Sequence, residues 1–259
     1  MIGDIKHIVV FQSLPANDQQ TGQDLYDDCI KRRIDYMQEN EQKMTHSFYD
    51  IQNKEQLIEL FKYYETNAEY MADGLLFHFE MHGDQNDGLL LKNGEYIAWT
   101  ELITLFRPIN VKTNNRLFIT MATCYGRFLY TGIDDAYKKS PYSGYISSSR
   151  EVTSQEVLED FDLLFETLID KRNIIQAFID TEETQSRFFY KDMEATFEDA
   201  FKYTIWKCEN DPEFLENGIL ADFEREFGYK ASNEEYKSIF DKVVEDLYNK
   251  QKKAFNFSN

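Results

Sequence analysis

A histidine followed by glycine and, 42 residues later, a cysteine close to another glycine are the residues of this chain best suited to chemistry. The stretch LLFHFEMHGD holds His78 and His82, and RLFITMATCYG holds Cys124. An imidazole is the usual base that makes a thiol nucleophilic near neutral pH. The N–H groups of Gly83 and Cys124 could donate to the oxyanion that forms when a thiol attacks a carbonyl. The two stretches therefore predict acyl transfer by a cysteine and a histidine.

The two histidines have different predicted roles. Both stretches are dense in residues that prefer β-structure, and strand alternation puts His82 on the same face as His78 and Glu80. On the second strand, Cys124 shares a face with Ala122. His78 lies four residues deeper than His82, and we expect it to be a structural histidine held within the strand.

Cysteine usage favours a reducing environment. The three cysteines, Cys29, Cys124 and Cys208, are odd in number, widely separated and without CxxC spacing. We therefore expect no disulfide framework, no metal site and no cofactor, and we predict a cytoplasmic protein with room for one reactive thiol.

Composition narrows the class of partner. The chain has 259 residues, is 42% hydrophobic and carries a formal net charge of −19. Such a charge argues against nucleic acid or an anionic membrane as the main partner, because both require basic surface. No apolar run approaches the roughly 20 residues that span a bilayer, and the N-terminus lacks the features of a signal peptide. A globular protein is the expectation, and its charge would permit a basic ligand.

Strand and helix patterns alternate along the first part of the chain. Predicted strands are IKHIVVFQSL, THSFYDI, GLLFHFEMHG, RLFITMATCYG and YSGYISSS, and GLLLKNGEYIAW is a predicted hairpin that turns at Asn93-Gly94. Helices are predicted between them, with Asn53 as a cap and with Pro108 helping to end TELITLFRPIN. This order predicts an α/β fold with a mainly parallel sheet and helices on both faces, whose functional loops lie at the carboxyl ends of the strands.

The pattern becomes helical after about residue 150, with Thr153 or Ser154 as a cap. No Pro/Gly/Ser-rich linker is visible. We predict one α/β domain over residues 1–200 and a helical C-terminal extension over 201–259 that packs on it.

Four stretches, in this order, resemble the caspase-like cysteine peptidase superfamily, nearest to the bacterial CHAT-type proteases: GLLFHFEMHGD, GLLLKNGEYIAWTELITLF, RLFITMATCYG and SGYISSS. The resemblance covers roughly residues 1–200, with its core at 74–150. It implies a caspase-like fold, His82 as the catalytic histidine, Cys124 as the nucleophile and Gly83 as an oxyanion donor. It also implies that PYSGYISSS lines the primary specificity pocket, with Ser147, Ser148 and Arg150 as substrate-binding residues.

The sequence differs from the motifs of animal caspases and metacaspase-like enzymes, so the resemblance does not predict which substrate side chain is preferred. Animal caspases carry Q-A-C-[RQG]-G with a histidine about 50 residues upstream, whereas this chain has ATCYG and a spacing of 42. Ala122 stands where metacaspase-like enzymes have an acidic residue. Arg127 and Arg150 are candidates to face an acidic substrate side chain. Candidates to face a basic one are Asp84, Asp87, Asp134 and Asp135. No third member of a triad is predicted, and in this superfamily a dyad suffices.

These observations predict a cysteine endopeptidase that cleaves protein substrates through a thioacyl enzyme. The resemblance further implies an effector of a bacterial defence or cell-death system that a sensor or operon partner activates. The main alternative is a catalytically inactive caspase-like module that binds or scaffolds a partner. A nucleotide- or phosphate-binding α/β protein is disfavoured, since neither GxGxxG nor GxxxxGK[ST] occurs.

Overall fold

The computed structural model describes residues 2–37, 43–133, 138–182, 187–215, 220–221, 224–225, 228–229, 242, 245–246 and 248–257. Over these residues the chain forms a mixed, mainly parallel sheet with helices on both faces. The predicted α/β class with a mainly parallel sheet is therefore confirmed. Within these ranges, no helix combines the length and apolar character needed to cross a membrane.

The sheet is assembled from strands that come mostly from the first 150 residues. They are β1 (His7–Ser13), β2 (Thr45–Asp50), β3 (Leu75–Asp84), β4 (Gly88–Leu90), β5 (Tyr96–Ile97), β6 (Leu117–Met121), β7 (Gly144–Ser147) and β8 (Phe189–Asp192). The main path runs β2-β1-β3-β6-β7-β8, and the hairpin of β4 and β5 attaches to β3. Neighbours along the path pair in parallel, except that β8 is antiparallel to β7.

Helices connect the parallel strands and cover both faces of the sheet. They are α1 (Thr21–Leu25), α2 (Arg32–Asp35), α3 (Lys54–Asn67), α4 (Trp99–Lys112), α5 (Ser154–Lys171), α6 (Ile174–Glu182), α7 (Met193–Asn210) and α8 (Pro212–Phe214), with a π-helix (Tyr26–Lys31) joining α1 to α2. The predicted caps are confirmed at Asn53, whose side chain accepts from the N–H of Gln56, and at Thr153, which accepts from that of Glu156.

The prediction that Pro108 helps to end α4 is wrong. Pro108 lies inside the helix, which continues to Lys112. A proline in a helix interior loses one backbone hydrogen bond. Here Phe106 and Ile109 on either side of it are fully buried against the sheet, and this packing holds the helix through the proline.

Strand alternation creates one hydrophobic core on each face. The core under α3 and α4 contains closely packed rings of Phe11, Phe61 and Phe77. The core under α1, α5 and α6 receives the alternate strand residues, including Val10 and Phe118. This period of two is the hydrophobic signal that makes such strands recognisable in the sequence.

His78 is buried within β3, as expected of a structural histidine. Its Nδ1 lies 2.8 Å from Thr120 Oγ1 on β6, and its Nε2 lies 3.0 Å from Glu80 Oε1. The Thr21 hydroxyl at the start of α1 donates to Glu80 Oε2 at 2.7 Å. Because buried polar groups are costly unless bonded, this network fixes β3, β6 and α1 against one another just below His82.

The part of the chain after residue 150 is not wholly helical. Sequence analysis missed β8, which is four residues long with half-exposed and exposed side chains at the edge of the sheet. Residue 200, the predicted domain boundary, lies inside α7. Near the C-terminus, the N–H of Ser140 donates to the carbonyl of Ala254, and the rings of Phe197 and Phe255 stack with centroids 5.5 Å apart.

Candidate active site

The carboxyl edge of the sheet places His82 and Cys124 at matching positions on neighbouring strands. Phe79 of β3 pairs with Met121 of β6. His82 lies three residues after Phe79, and Cys124 lies three residues after Met121. His82 is inside β3 and not at its end, because β3 continues to Asp84 by pairing with β4. Cys124 lies in the turn after β6.

Gly83 brings the two strand ends into direct contact. A Cβ atom at this glycine would lie 2.2 Å from Thr123 Cγ2 and 2.3 Å from the carbonyl oxygen of Cys124. Both distances are shorter than real Cβ contacts, so a residue with a side chain does not fit here. The glycine allows the backbone after His82 to pack against the side chain of Thr123 and the backbone carbonyl of Cys124, as glycine does where a close approach is needed.

The imidazole and the thiol lie on the same face of the sheet. Ala122, two residues before the cysteine, belongs to the core under α1 and α5, as does the partly buried Val152. The sulfur of Cys124 lies beside the backbone of Val152. The ring of His82 reaches Asp18, in the loop that leads into α1.

The environment of Cys124 differs from those of the other two thiols. Cys124 is half-buried, and its sulfur accepts from the N–H of Val152 at 3.5 Å and lies 3.8 Å from the carbonyl oxygen of the same residue. Burial, reinforced by the nearby Asp162, raises the pKa of Cys29 to about 11. Burial also raises the pKa of Cys208. Cys124 is therefore the thiol best placed to react near neutral pH.

Asp18 is a functional candidate that sequence analysis missed. Its Oδ2 lies 2.6 Å from His82 Nε2, with both side chains partly exposed. In the tautomer whose Nε2–H donates to this carboxylate, Nδ1 carries a lone pair that can take a proton from a thiol. Among the described contacts, the imidazole is bonded to Asp18 and not to the sulfur of Cys124. Catalytic hydrogen bonds often form only once substrate is bound.

The loop that carries Asp18 is held by amide side chains. Gln20 donates from Nε2 to the carbonyl oxygens of Pro15 and Asp18, each at 2.9 Å. Gln12 of β1 donates in turn to Gln20 Oε1 at 2.8 Å. This bonding gives the carboxylate a defined position over the end of β3, which a mobile loop would not provide.

Single backbone hydrogen bonds connect the turn after the thiol to the segment that follows β7. Tyr125 has a left-handed backbone with φ of 59°, which is uncommon for a residue other than glycine and often marks a functional turn. The N–H of Tyr125 donates to the carbonyl of Arg150, and that of Arg127 donates to the carbonyl of Ser148. The thiol is thereby held against the segment that follows β7.

The predicted substrate-binding residues do not form one open surface. Ser147 and Ser148 are buried, and the hydroxyl of Ser148 donates to the carbonyl of Arg150. The guanidinium of Arg150 donates to Glu156 Oε1 at 3.0 Å, so its charge is already paired. Ser147 borders a cavity on the face opposite the thiol.

Among the acidic candidates, Asp84 is part of the turn after β3. Its carboxylate accepts from the N–H groups of Asn86 and Asp87, and these bonds lower the pKa of Asp84. Asp134 and Asp135 lie outside the described residues. In the ranges that the structure describes, no group of three or more His, Cys, Asp or Glu side chains is arranged to hold a metal ion.

Replacing Asp18 by asparagine should slow the reaction of Cys124 by about 10- to 100-fold, as loss of a residue that orients a functional histidine commonly does. The amide keeps the size of the side chain but no longer stabilises an imidazolium. The measurement is the rate at which a peptidyl chloromethyl ketone alkylates Cys124, followed from pH 5 to 9. The pH dependence of the alkylation rate should change, in addition to the rate itself.

Asp24→Asn is the matched control, since it removes an exposed carboxylate of α1 that does not touch His82. Equal rates and equal pH profiles for wild type and Asp18→Asn would contradict the positioning role of Asp18.

Comparison with known proteins gives no assignment. No protein-family model matches this chain, and no curated protein matches its sequence.

Proposed function

We propose that this protein is a caspase-like cysteine endopeptidase in which Cys124 is the nucleophile and His82 the general base. The observation that carries the proposal is the close approach at Gly83, where the backbone next to His82 packs against Thr123 and Cys124 at the carboxyl edge of the sheet. The sheet order supports it, because a mainly parallel sheet with one antiparallel edge strand is compatible with a caspase-like layout.

The chemistry follows from the groups present. His82 takes the thiol proton at Nδ1 while Asp18 holds Nε2, and the Cys124 sulfur attacks the carbonyl carbon of the scissile peptide. The N–H groups of Gly83 and Cys124 are the proposed donors to the oxyanion. The imidazolium then gives its proton to the leaving amine, and a thioester remains on the sulfur. Water, deprotonated by His82, hydrolyses this thioester and regenerates the thiol.

The proposed substrate is a protein, and the biological setting is carried by the resemblance alone. It implies a cytoplasmic effector of a bacterial defence or cell-death system, controlled by a sensor or operon partner. Because Arg150 is paired with Glu156, an acidic substrate side chain would have to compete with that carboxylate for the guanidinium.

One observation favours a second function, a caspase-like module that binds a partner without cleaving it. The imidazole of His82 is bonded to Asp18 and not to the thiol. In a module of this kind the pair would fix the loop before α1 and would perform no chemistry.

Labelling of the native protein by a peptidyl acyloxymethyl ketone tests the proposal and separates the two functions. At pH 7.5 we expect one adduct, on Cys124, located by mass spectrometry. Cys29 should stay unmodified because burial raises its pKa to about 11, so that it is almost entirely protonated at this pH. Cys208 is buried and should also resist. The unfolded protein, in which all three thiols are accessible, is the control. A native protein that reacts at none of them, or at all three alike, would favour the binding module.

A further inference from the structure

A cavity of about 600 Å³ lies between the turn after the thiol, the β7–β8 edge of the sheet, α7 and the C-terminal residues Ala254 and Phe255. Its volume is in the range of sites that hold small organic ligands. We call it the basic cavity, for the charged side chains of its wall, Arg107, Arg127, Lys138 and Lys191.

The basic cavity is separate from the candidate active site. Ser147, which lines it, pairs with Met121, and Tyr145 of the same wall belongs to the core under α3 and α4. Cys124 lies on the other face, beside Val152. The proposed thiol chemistry therefore makes no use of this cavity, and a ligand bound there would not touch the sulfur.

The charge of the wall is opposite to that of the molecule. Among the described residues, every charged side chain that lines the cavity is a lysine or an arginine, whereas the whole chain carries −19. Within the described contacts, the guanidinium of Arg127 lies over the ring of Phe128 and meets no carboxylate, so an anion bound beside it would gain a charge-assisted hydrogen bond.

The rest of the wall combines small hydroxyl side chains with apolar and aromatic ones. Tyr145, Phe189 and Phe197 contribute to it, and Phe189 is about half exposed although it is a large apolar residue. Aromatic and aliphatic walls with a few placed charges are the usual composition of small-molecule sites. Ring faces also bind flat apolar groups well.

We propose that the basic cavity binds a small organic anion. Its acidic group would lie between Arg127 and Lys191, and its aromatic or aliphatic body would lie against the rings of Tyr145 and Phe197. The inference goes beyond the proposed peptidase function and is independent of it, since it uses neither His82 nor Cys124.

Two fluorescent probes of nearly the same shape test this inference on the full-length protein. 8-Anilinonaphthalene-1-sulfonate is anionic, and N-phenyl-1-naphthylamine is its neutral counterpart. We expect saturable binding of the anionic probe at one site, and binding at least about tenfold weaker for the neutral one. Arg127→Gln and Lys191→Gln should each raise the Kd of the anionic probe about three- to tenfold and leave that of the neutral probe unchanged.

Two further variants keep the test decisive. Lys31→Gln removes an exposed lysine of the π-helix and should not alter the binding of either probe. Thr196→Trp adds bulk at an exposed position of the cavity wall and should weaken both probes. Equal affinity for the two probes, or the same Kd in wild type, Arg127→Gln and Lys191→Gln, would overturn the inference. Unchanged near-ultraviolet circular dichroism in each variant shows that its fold is intact.

Discussion

Cys124→Ser is expected to lower peptidase activity by at least about 10³-fold, which is the scale of loss when a catalytic nucleophile is removed. Serine keeps the shape of the side chain, but its hydroxyl gives up a proton far less readily than a thiol does. In the proposed mechanism the thiol gives its proton to the imidazole that Asp18 holds, and a hydroxyl does so less readily. His82→Ala should have an effect of similar size. Both are measured as kcat/KM on the best substrate from a peptide-library cleavage profile.

Cys208→Ser is the matched control for that experiment. It makes the same chemical change at a buried thiol of α7, and activity should stay within about twofold of wild type, because surface or remote substitutions rarely reach the active site. Retention of full activity by Cys124→Ser, with its fold intact, would remove the proposed mechanism.

Gly83→Ala should reduce activity by about 10²-fold, the loss associated with a misplacement of reacting groups by about 1 Å. The added methyl group would lie 2.2 Å from Thr123 Cγ2 and 2.3 Å from the carbonyl oxygen of Cys124. The ends of β3 and β6 must therefore separate, and the imidazole moves away from the thiol. The measurement is again kcat/KM, together with the midpoint of thermal unfolding.

Gly94→Ala provides the comparison for Gly83→Ala. A Cβ at Gly94 meets nothing within 4 Å, but its φ of +88° makes the substitution strained, so stability should fall by about 1 kcal/mol while activity is kept. Adding Thr123→Ser to Gly83→Ala removes one of the two clashes and should recover part of the activity. Wild-type activity in Gly83→Ala would show that the contact between the strand ends is not needed.

The first seven strands could be predicted from the sequence because each carries its own signal. Alternating or continuous apolar residues define β1, β3 and β6, and Asn93-Gly94 marks the hairpin between β4 and β5. The β8 strand has four residues with half-exposed and exposed side chains, so its apolar pattern is too weak to separate it from the helices around it. The end of α4 was predicted wrongly at Pro108. The packing of the neighbouring residues overrides the helix-breaking preference of proline, and this packing cannot be read from the sequence.

The candidate site was only partly accessible to sequence analysis. His82, Gly83 and Cys124 could be found because each lies in or just beyond a recognisable strand, and parallel strands bring such positions together. Asp18 could not be found, because it lies 64 residues before His82 in a loop whose path depends on the amide bonds of Gln12 and Gln20. The ion pair of Arg150 with Glu156 could not be predicted either, because it depends on the residue at which α5 begins.

The hairpin of β4 and β5 has a mechanical consequence for the two halves of the site. His82 is paired with Leu90 inside a hydrogen-bonded ladder, so its backbone should be stiff and slow to exchange its amide protons. Cys124 lies in an irregular turn that depends on single bonds to the segment 148–152. Remodelling the turn that carries Cys124 should therefore need less free energy than remodelling the β3–β4 ladder that carries His82. A regulator of this protein would act on the turn, while the position of His82 stays unchanged.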